Sequence, residues 1–292
     1  MALPEFAPDL PWALGASLLL DGVSVPNPLQ RVWEWGGTSM AQALYAQTQW
    51  AELTDISPCL VRVSGPDDPV LEHYKASGQP DWGCLLFSVA PWMEQVQHLR
   101  GLLQVVHPQG EGLLLRLADA TIVHALFGNP DSADAGRLFG PFQEVLGYDL
   151  DTEQWSRLQS PVAPHPINAP QPYRLRESDL ERLGQVRQHQ VLEGLDGHMH
   201  THFPAWGEQW DRPARRAELR ALADQAYARG FCGEDDLYRY ANLFGLLGPN
   251  ALEDHPHVAN QLDARDSRTP SQRLKDAADL AYALSLLKRT SP

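Results

Sequence analysis

Short apolar runs bounded by Gly, Pro, Asp or Ser recur through the first half of the chain. From Ser17 to about Phe142, "SLLLDG", "PCLVRV", "GCLLFSV", "LLQVVH" and "GLLLRLA" each have the length of a β-strand. Between them, "DPVLEHYKASG" and "PWMEQVQHLRG" open with Pro near a first helical turn and close on Gly, which predicts two helices. The last two apolar runs flank a Pro-Gln-Gly-Glu-Gly connection and predict a hairpin, so part of the sheet is antiparallel. "DATIVHALFG" predicts another short helix, with Asp119 as N-cap and Gly128 as C-cap. The fold class expected for this half is α/β (α+β), a mixed β-sheet flanked by helices.

The pattern changes at "SPVAPHPINAPQP", between Ser160 and Pro172, where five prolines remove backbone donors and fix φ repeatedly. This stretch reads as a linker. Beyond it the period becomes helical. Leu180, Leu183, Val186 and Val191 follow helical spacing behind a cap at Ser178 or Asp179, and Pro213 and Gly230 bracket the next helix. "GEDDLYRYANLFGLLGPN" and "TPSQRLKDAADLAYALSLLKR" continue the series. The expected organisation is a mixed α/β domain at 1–159, a Pro-rich linker at 160–172 and an all-helical C-terminal lobe at 173–292.

Composition narrows the function classes. The chain has 292 residues, 43% hydrophobic and 21% charged, with a formal net charge of -14. The first hundred residues hold four basic side chains against eleven acidic ones. Nucleic-acid affinity is built mainly from Lys and Arg neutralising phosphates, so neither nucleic acid nor an anionic membrane is an expected partner. No apolar run approaches the roughly 20 residues that span a bilayer, and "MALPEFAPDLPWALG" lacks the positive flank of a secretory signal. A cytoplasmic protein is expected. Cys59, Cys84 and Cys232 are widely spaced, which suits a reducing compartment and makes no zinc framework. Cys59 and Cys84 sit in apolar runs and are expected in the core.

The sharpest candidate for chemistry is "GHMHTHFP". In a strand, His198, His200 and His202 would share a face and present three ligands, the basis of a metal-dependent hydrolase. In a helix His198 and His202 share a face while His200 points away. The surrounding period is helical and Phe203-Pro204 reads as a stop, so a helix end is expected and neither a metal nor another cofactor is assigned. Gly-x-Ser-x-Gly, Gly-x-x-x-x-Gly-Lys-Ser/Thr and Gly-x-Gly-x-x-Gly are all missing from the sequence. Acidic neighbours in "GFCGEDD" oppose the thiolate that a nucleophilic Cys232 needs. Trp33 and Trp35 in "RVWEWGG", and Trp206 and Trp210, are either core-rim packing or anchors of a protein-binding surface.

"SLLLDG", "LYAQTQWAELTDISPCLVRV", "WGCLLFSVAPWMEQVQHLRGLLQVVHPQGEGLLLRLADATIVHALF" and "LFGPFQEV", in that order and spacing, resemble the domain of bacterial type VI secretion system effector adaptors, also called effector chaperones. The matching positions are Asp21, Leu44-Tyr45, Pro58, Leu60, Trp82-Gly83, His98-Leu99-Arg100, Arg116, Asp119 and Gly140-Pro141. Where the family has Arg, an aromatic, then Asp-Pro-Arg, this chain has "RLADAT", with Ala120 and Thr121 in place of Pro and Arg. The resemblance implies a non-catalytic adaptor that binds a secreted toxic effector and loads it onto the VgrG spike. A toxin-binding immunity protein is a further alternative. Candidate partner-binding or motif residues are Asp21, Trp33, Trp35, His98, Arg100, Arg116 and Asp119. His98 and Arg100 would either anchor a partner carboxylate or cap the carbonyls of their own helix, and Arg116 is expected to form an ion pair with Asp119.

Overall fold

The computed structural model describes residues 4–36, 40–77, 79–130, 132–163 and 172–290. Its contacts divide the chain into two compact units, Met1–Val186 and Arg187–Pro292.

In chain order the first unit contains β1 (Ala16–Leu20), α1 (Pro28–Glu34), β2 (Ala41–Ala43), β3 (Cys59–Val63), α2 (Pro69–Ser77) and β4 (Gly83–Phe87). There follow α3 (Trp92–Leu102), β5 (Gln104–Val106), β6 (Gly112–Leu114), α4 (Ala120–Phe127), α5 (Ser132–Phe139), β7 (Glu144–Asp149), β8 (Gln154–Gln159) and β9 (Tyr173–Arg174). The five strands and three helices expected from the apolar runs are all present, and β5 and β6 form the expected antiparallel hairpin. Most of the Pro-rich segment, residues 164–171, lies outside the described residues.

Six strands form one sheet in the order β2-β3-β1-β4-β7-β8, antiparallel at every pairing. β1 lies near its centre, with Leu18 opposite Val61 on one side and Leu85 on the other. The second sheet, β6-β5-β9, is mixed, because β9 runs parallel to β5.

Helices cover both faces of the large sheet, and this explains why its central strands read as unbroken apolar runs. Alternate residues of β1 enter different cores. Leu19 packs with Leu60, Cys84, Leu86 and helix residues Val96, Leu99, Val123 and Leu126. Leu18 and Leu20 pack on the other face with Val61, Leu85, Val32, Val70, Leu71 and Tyr74. Cys59 and Cys84 are buried free thiols, as expected. Burial pushes the Cys59 thiol up to about 12, and Cys84 higher still.

The second unit is helical. α6 (Glu177–His202) crosses the division between the units, and α7 (Arg212–Ala228), α8 (Glu234–Leu247), α9 (Ala251–Asp254), α10 (Pro256–Leu262) and α11 (Pro270–Thr290) follow. Their apolar faces form one core around Leu219, Leu222, Tyr240, Phe244, Val258 and Leu274. Asp211 caps α7 by accepting from the Ala214 N–H at 2.9 Å. Gly230 ends that segment at φ 82°, a left-handed conformation that glycine adopts without strain. At the start of α6 the Asp179 carboxylate accepts from the Arg176 backbone N–H at 2.9 Å, so it caps from inside the first turn. No helix among the described residues is long and apolar enough to cross a membrane.

Candidate functional site

Asp21 leaves the end of β1 and turns the chain. Its Oδ2 accepts from the backbone N–H groups of Val23 and Ser24 at 3.1 and 2.8 Å, and its own N–H donates to the Trp82 carbonyl at 2.8 Å. This is the local turn that a short carboxylate favours. The carboxylate is buried, and its counter-charge comes from far along the chain. Arg116 Nη2 donates to Asp21 Oδ2 at 2.8 Å and to Ser24 Oγ at 2.5 Å, and Asp81 Oδ2 stands 3.4 Å from the same nitrogen. Ser24 Oγ donates in turn to Asp81 Oδ2 at 2.6 Å. One guanidinium therefore joins the turn after β1, the segment before β4 and the loop that leads to α4.

Arg116 pairs with Asp21 and Asp81, where the sequence suggests Asp119. Asp119 Oδ1 accepts from the Thr121 N–H at 2.9 Å and from the Thr121 hydroxyl at 2.6 Å, which makes Asp119 the expected N-cap of α4. The threonine that departs from the family pattern is thus the residue the cap holds. Burial raises the Asp119 carboxyl above its ordinary value, against the lowering effect of Thr121's hydrogen bonds and Arg116's charge. For Arg116 burial acts to lower the guanidinium, but the hydrogen bond to Asp21 and the charges of Asp21, Asp119 and Asp81 hold it above its ordinary value. The cluster is acidic in sum and keeps its arginine charged.

His98 and Arg100 lie near the end of α3, yet the bonds they make lead to other elements. Buried His98 bonds through Nε2 to the Leu138 carbonyl at 2.8 Å and meets the Phe142 ring edge-on at 5.8 Å. Gly140 completes that corner at φ 50°, and a Cβ there would stand 2.3 Å from the imidazole. Arg100 Nε donates to the Leu44 carbonyl at 3.0 Å, and its Nη1 reaches Gln47 Oε1 at 3.4 Å. The two residues tie α3 to the loop after β2 and to the corner after α5, so buried His98 is not available as a surface anchor. The motif residues Asp21, Leu44, Trp82, His98, Arg100 and Gly140 are joined to one another or to neighbouring backbone.

The tryptophan pair divides. Trp35 is partly buried and stacks on His73 at 5.5 Å and Trp82 at 6.4 Å. Trp33, two positions earlier and on another side of α1, is 61% exposed. Val23, beside Asp21, is 58% exposed. In the second unit Trp206 is buried and meets Trp210 edge-on at 4.9 Å.

The histidine segment is the last turn of α6. His198 and His202 share a face, with ring centroids 4.6 Å apart, and His198 Nε2 bonds Asn242 Oδ1 at 2.6 Å. His200 is exposed, between them in sequence and on another face. The helical period thus separates the three imidazoles, and no group of three or more His, Cys, Asp or Glu side chains among the described residues is arranged to hold a metal ion. Ser24 and Asp81 are the members of the Arg116 cluster that sequence reasoning misses. Asp81 was adjacent to the Trp82-Gly83 motif, and Ser24 stands three residues after Asp21, at the spacing of a side-chain-capped turn.

Taken together, the first unit is a two-sided α/β domain whose signature residues are bound up in internal ties, and a helical unit follows it. The family comparisons agree with the resemblance seen in the motifs. Residues 16–136 match the family model described as Domain of unknown function (DUF4123). Over 269 residues the chain is 29% identical to a protein named Accessory protein VasW from Vibrio cholerae serotype O1, covering 91% of this chain and 87% of that relative. No solved structure matches the chain.

Proposed function

We propose that this protein is a cytoplasmic, non-catalytic adaptor of a bacterial type VI secretion system, which binds a cognate effector and helps load it onto the VgrG spike. The observation that carries this reading is the ordered motif set. It falls within or beside the DUF4123 match, and similarity to an accessory protein extends through both units. The geometry is in keeping with an adaptor: the motif residues hold a platform together, while apolar side chains such as Val23 and Trp33 remain open to solvent on the first unit. Tyr282, Leu286 and Leu287 are likewise exposed on α11 of the second. Exposed apolar groups of this kind suit a protein partner.

Deleting the gene tests the reading. An adaptor's loss leaves the effector insoluble or undelivered while the producing cell stays healthy. An immunity protein's loss poisons the producing cell, and normal effector solubility and delivery without this protein overturn the proposal. Co-purification of the effector and of VgrG with the tagged full chain identifies which of the two it touches. Replacing His198, His200 and His202 together by Ala is expected to leave effector delivery intact.

A further inference from the structure

At the opposite end of β1 from Asp21 lies an open cleft of about 500 Å³, lined among others by Leu14, Gly15, Arg62, Ser88 and Val89. The guanidinium of Arg62 is its principal polar feature. Arg62 belongs to β3, and its backbone N–H donates to the Met40 carbonyl at 2.9 Å. Its Nη1 lies 3.1 Å from the point where a Cβ on Gly15 would stand, and the Ser88 carbonyl oxygen lies 3.2 Å from that point. Gly15, at φ 82°, therefore leaves open the space the guanidinium occupies.

Among the described residues no carboxylate or carbonyl is recorded against this guanidinium, whereas Arg116, Arg157 and Arg176 each meet an acid. The shortage is not one of acids, since the chain has 37 Asp and Glu against 23 Lys and Arg. The nearby buried acid is already engaged: Asp68 accepts from the Ser64 N–H and hydroxyl and from the Val70 N–H. The other hydroxyl in the cleft is also satisfied, because Ser88 Oγ donates to the Pro141 carbonyl at 2.6 Å and accepts from the Ala90 N–H. What the cleft offers a ligand is a planar, permanently charged donor fork beside an apolar rim, where Val89 is 68% exposed.

We propose that this cleft binds a carboxylate of a partner polypeptide, held by the Arg62 guanidinium, with an adjoining apolar side chain of the partner against Val89. A single guanidinium matches one carboxylate in charge and can meet both oxygens in its plane. That the ligand is a polypeptide rests on the adaptor reading; the anion chemistry does not.

The test uses the full chain labelled with ¹⁵N-arginine, the Arg62 Nε–H signal being assigned by its loss in Arg62→Lys. Four probes are titrated: acetyl-Gly-Leu-Val with a free C-terminal carboxylate, acetyl-Gly-Leu-Glu-Leu-Gly-amide, the same amide with Gln for Glu, and inorganic phosphate. A saturable shift of the Arg62 signal is expected with at least one carboxylate peptide and not with the Gln peptide, and the responding probe tells a chain end from a side chain. Arg62→Gln is expected to weaken binding at least tenfold. Val89→Glu, which leaves the sheet untouched, is expected to do the same by placing an acid in the cleft. Absence of a shift with both carboxylate peptides, equal binding of the Gln peptide or of inorganic phosphate, or unchanged affinity in Arg62→Gln overturns the proposal. Intact effector delivery without peptide binding counts against this site alone, and peptide binding without any role in delivery counts against the adaptor reading alone.

Discussion

Asp21 shows what one side chain does when its acceptors serve both local and distant groups. Replacing it by Ala removes the acceptor for two turn N–H groups and the nearest counter-charge of Arg116, whose Nε is already buried without a partner. Arg116 is one-third exposed, so water recovers part of the loss. We expect Asp21→Ala to destabilise the first unit by about 2 kcal/mol, read as a lower denaturant midpoint. The cysteines give a second check at this scale. Cys59 and Cys84 are buried with their thiols held protonated, and Cys232 is exposed. A thiol reagent applied to the native protein should modify one cysteine quickly and the other two only after unfolding. Sequence alone identified Asp21 and Arg116 but mispaired the arginine, because Asp119 is three residues away and Asp21 is ninety-five. Proximity along a chain favours the near acid, whereas the fold brings the distant one against the guanidinium and gives the near one to a helix end.

The elements legible in the sequence were those whose apolar runs are continuous, and the two-sided burial of β1, β3 and β4 made them so. β7 and β8 escaped because their sequences, "EVLGYD" and "QWSRLQ", lack such a run. Gly147 interrupts β7 for a packing reason: a Cβ there would stand 2.9 Å from the His124 Cα of α4 and 2.9 Å from Leu158 Cδ1. The helix backbone crosses the strand at that point and has no room to yield. Gly147→Ala should therefore cost about 2 kcal/mol in equilibrium unfolding, although alanine usually suits a strand no worse than glycine. The helical half was legible through its period, which is also what separated the three histidines. At the start of α6, burial acts to raise the Asp179 carboxyl, but hydrogen bonds from Arg176, Tyr173 and Arg182 outweigh it and hold the group below the ordinary carboxylate range. The unfolded chain takes up this proton more readily than the folded one. The contribution is therefore present at neutral pH and is lost as pH falls below about 4, through the folded-state value. Asp179→Asn should lower stability at pH 7 and flatten the acid side of the stability profile.

For the whole molecule, a net charge of -14 means that folding gathers like charges into a smaller volume. Individual exposed pairs such as Arg31 with Glu34 contribute little against that repulsion. Raising sodium chloride from 20 to 200 mM should therefore raise Tm, on the order of 2 °C, whereas a fall would mean that the ion pairs dominate. The central place of β1 has a further consequence in time. It is made before every other strand of its sheet, yet its two neighbours are β3 and β4, and β4 ends only at Phe87. Synthesis must therefore run on to Phe87 before β1 is paired on both edges, and through α4 before Val123 and Leu126 cover Leu19. Until then an adhesive segment, Ser17 to Leu20, travels unprotected from the exit tunnel, so slowing translation between residues 20 and 127 should increase capture of the nascent chain by the cell's general folding factors.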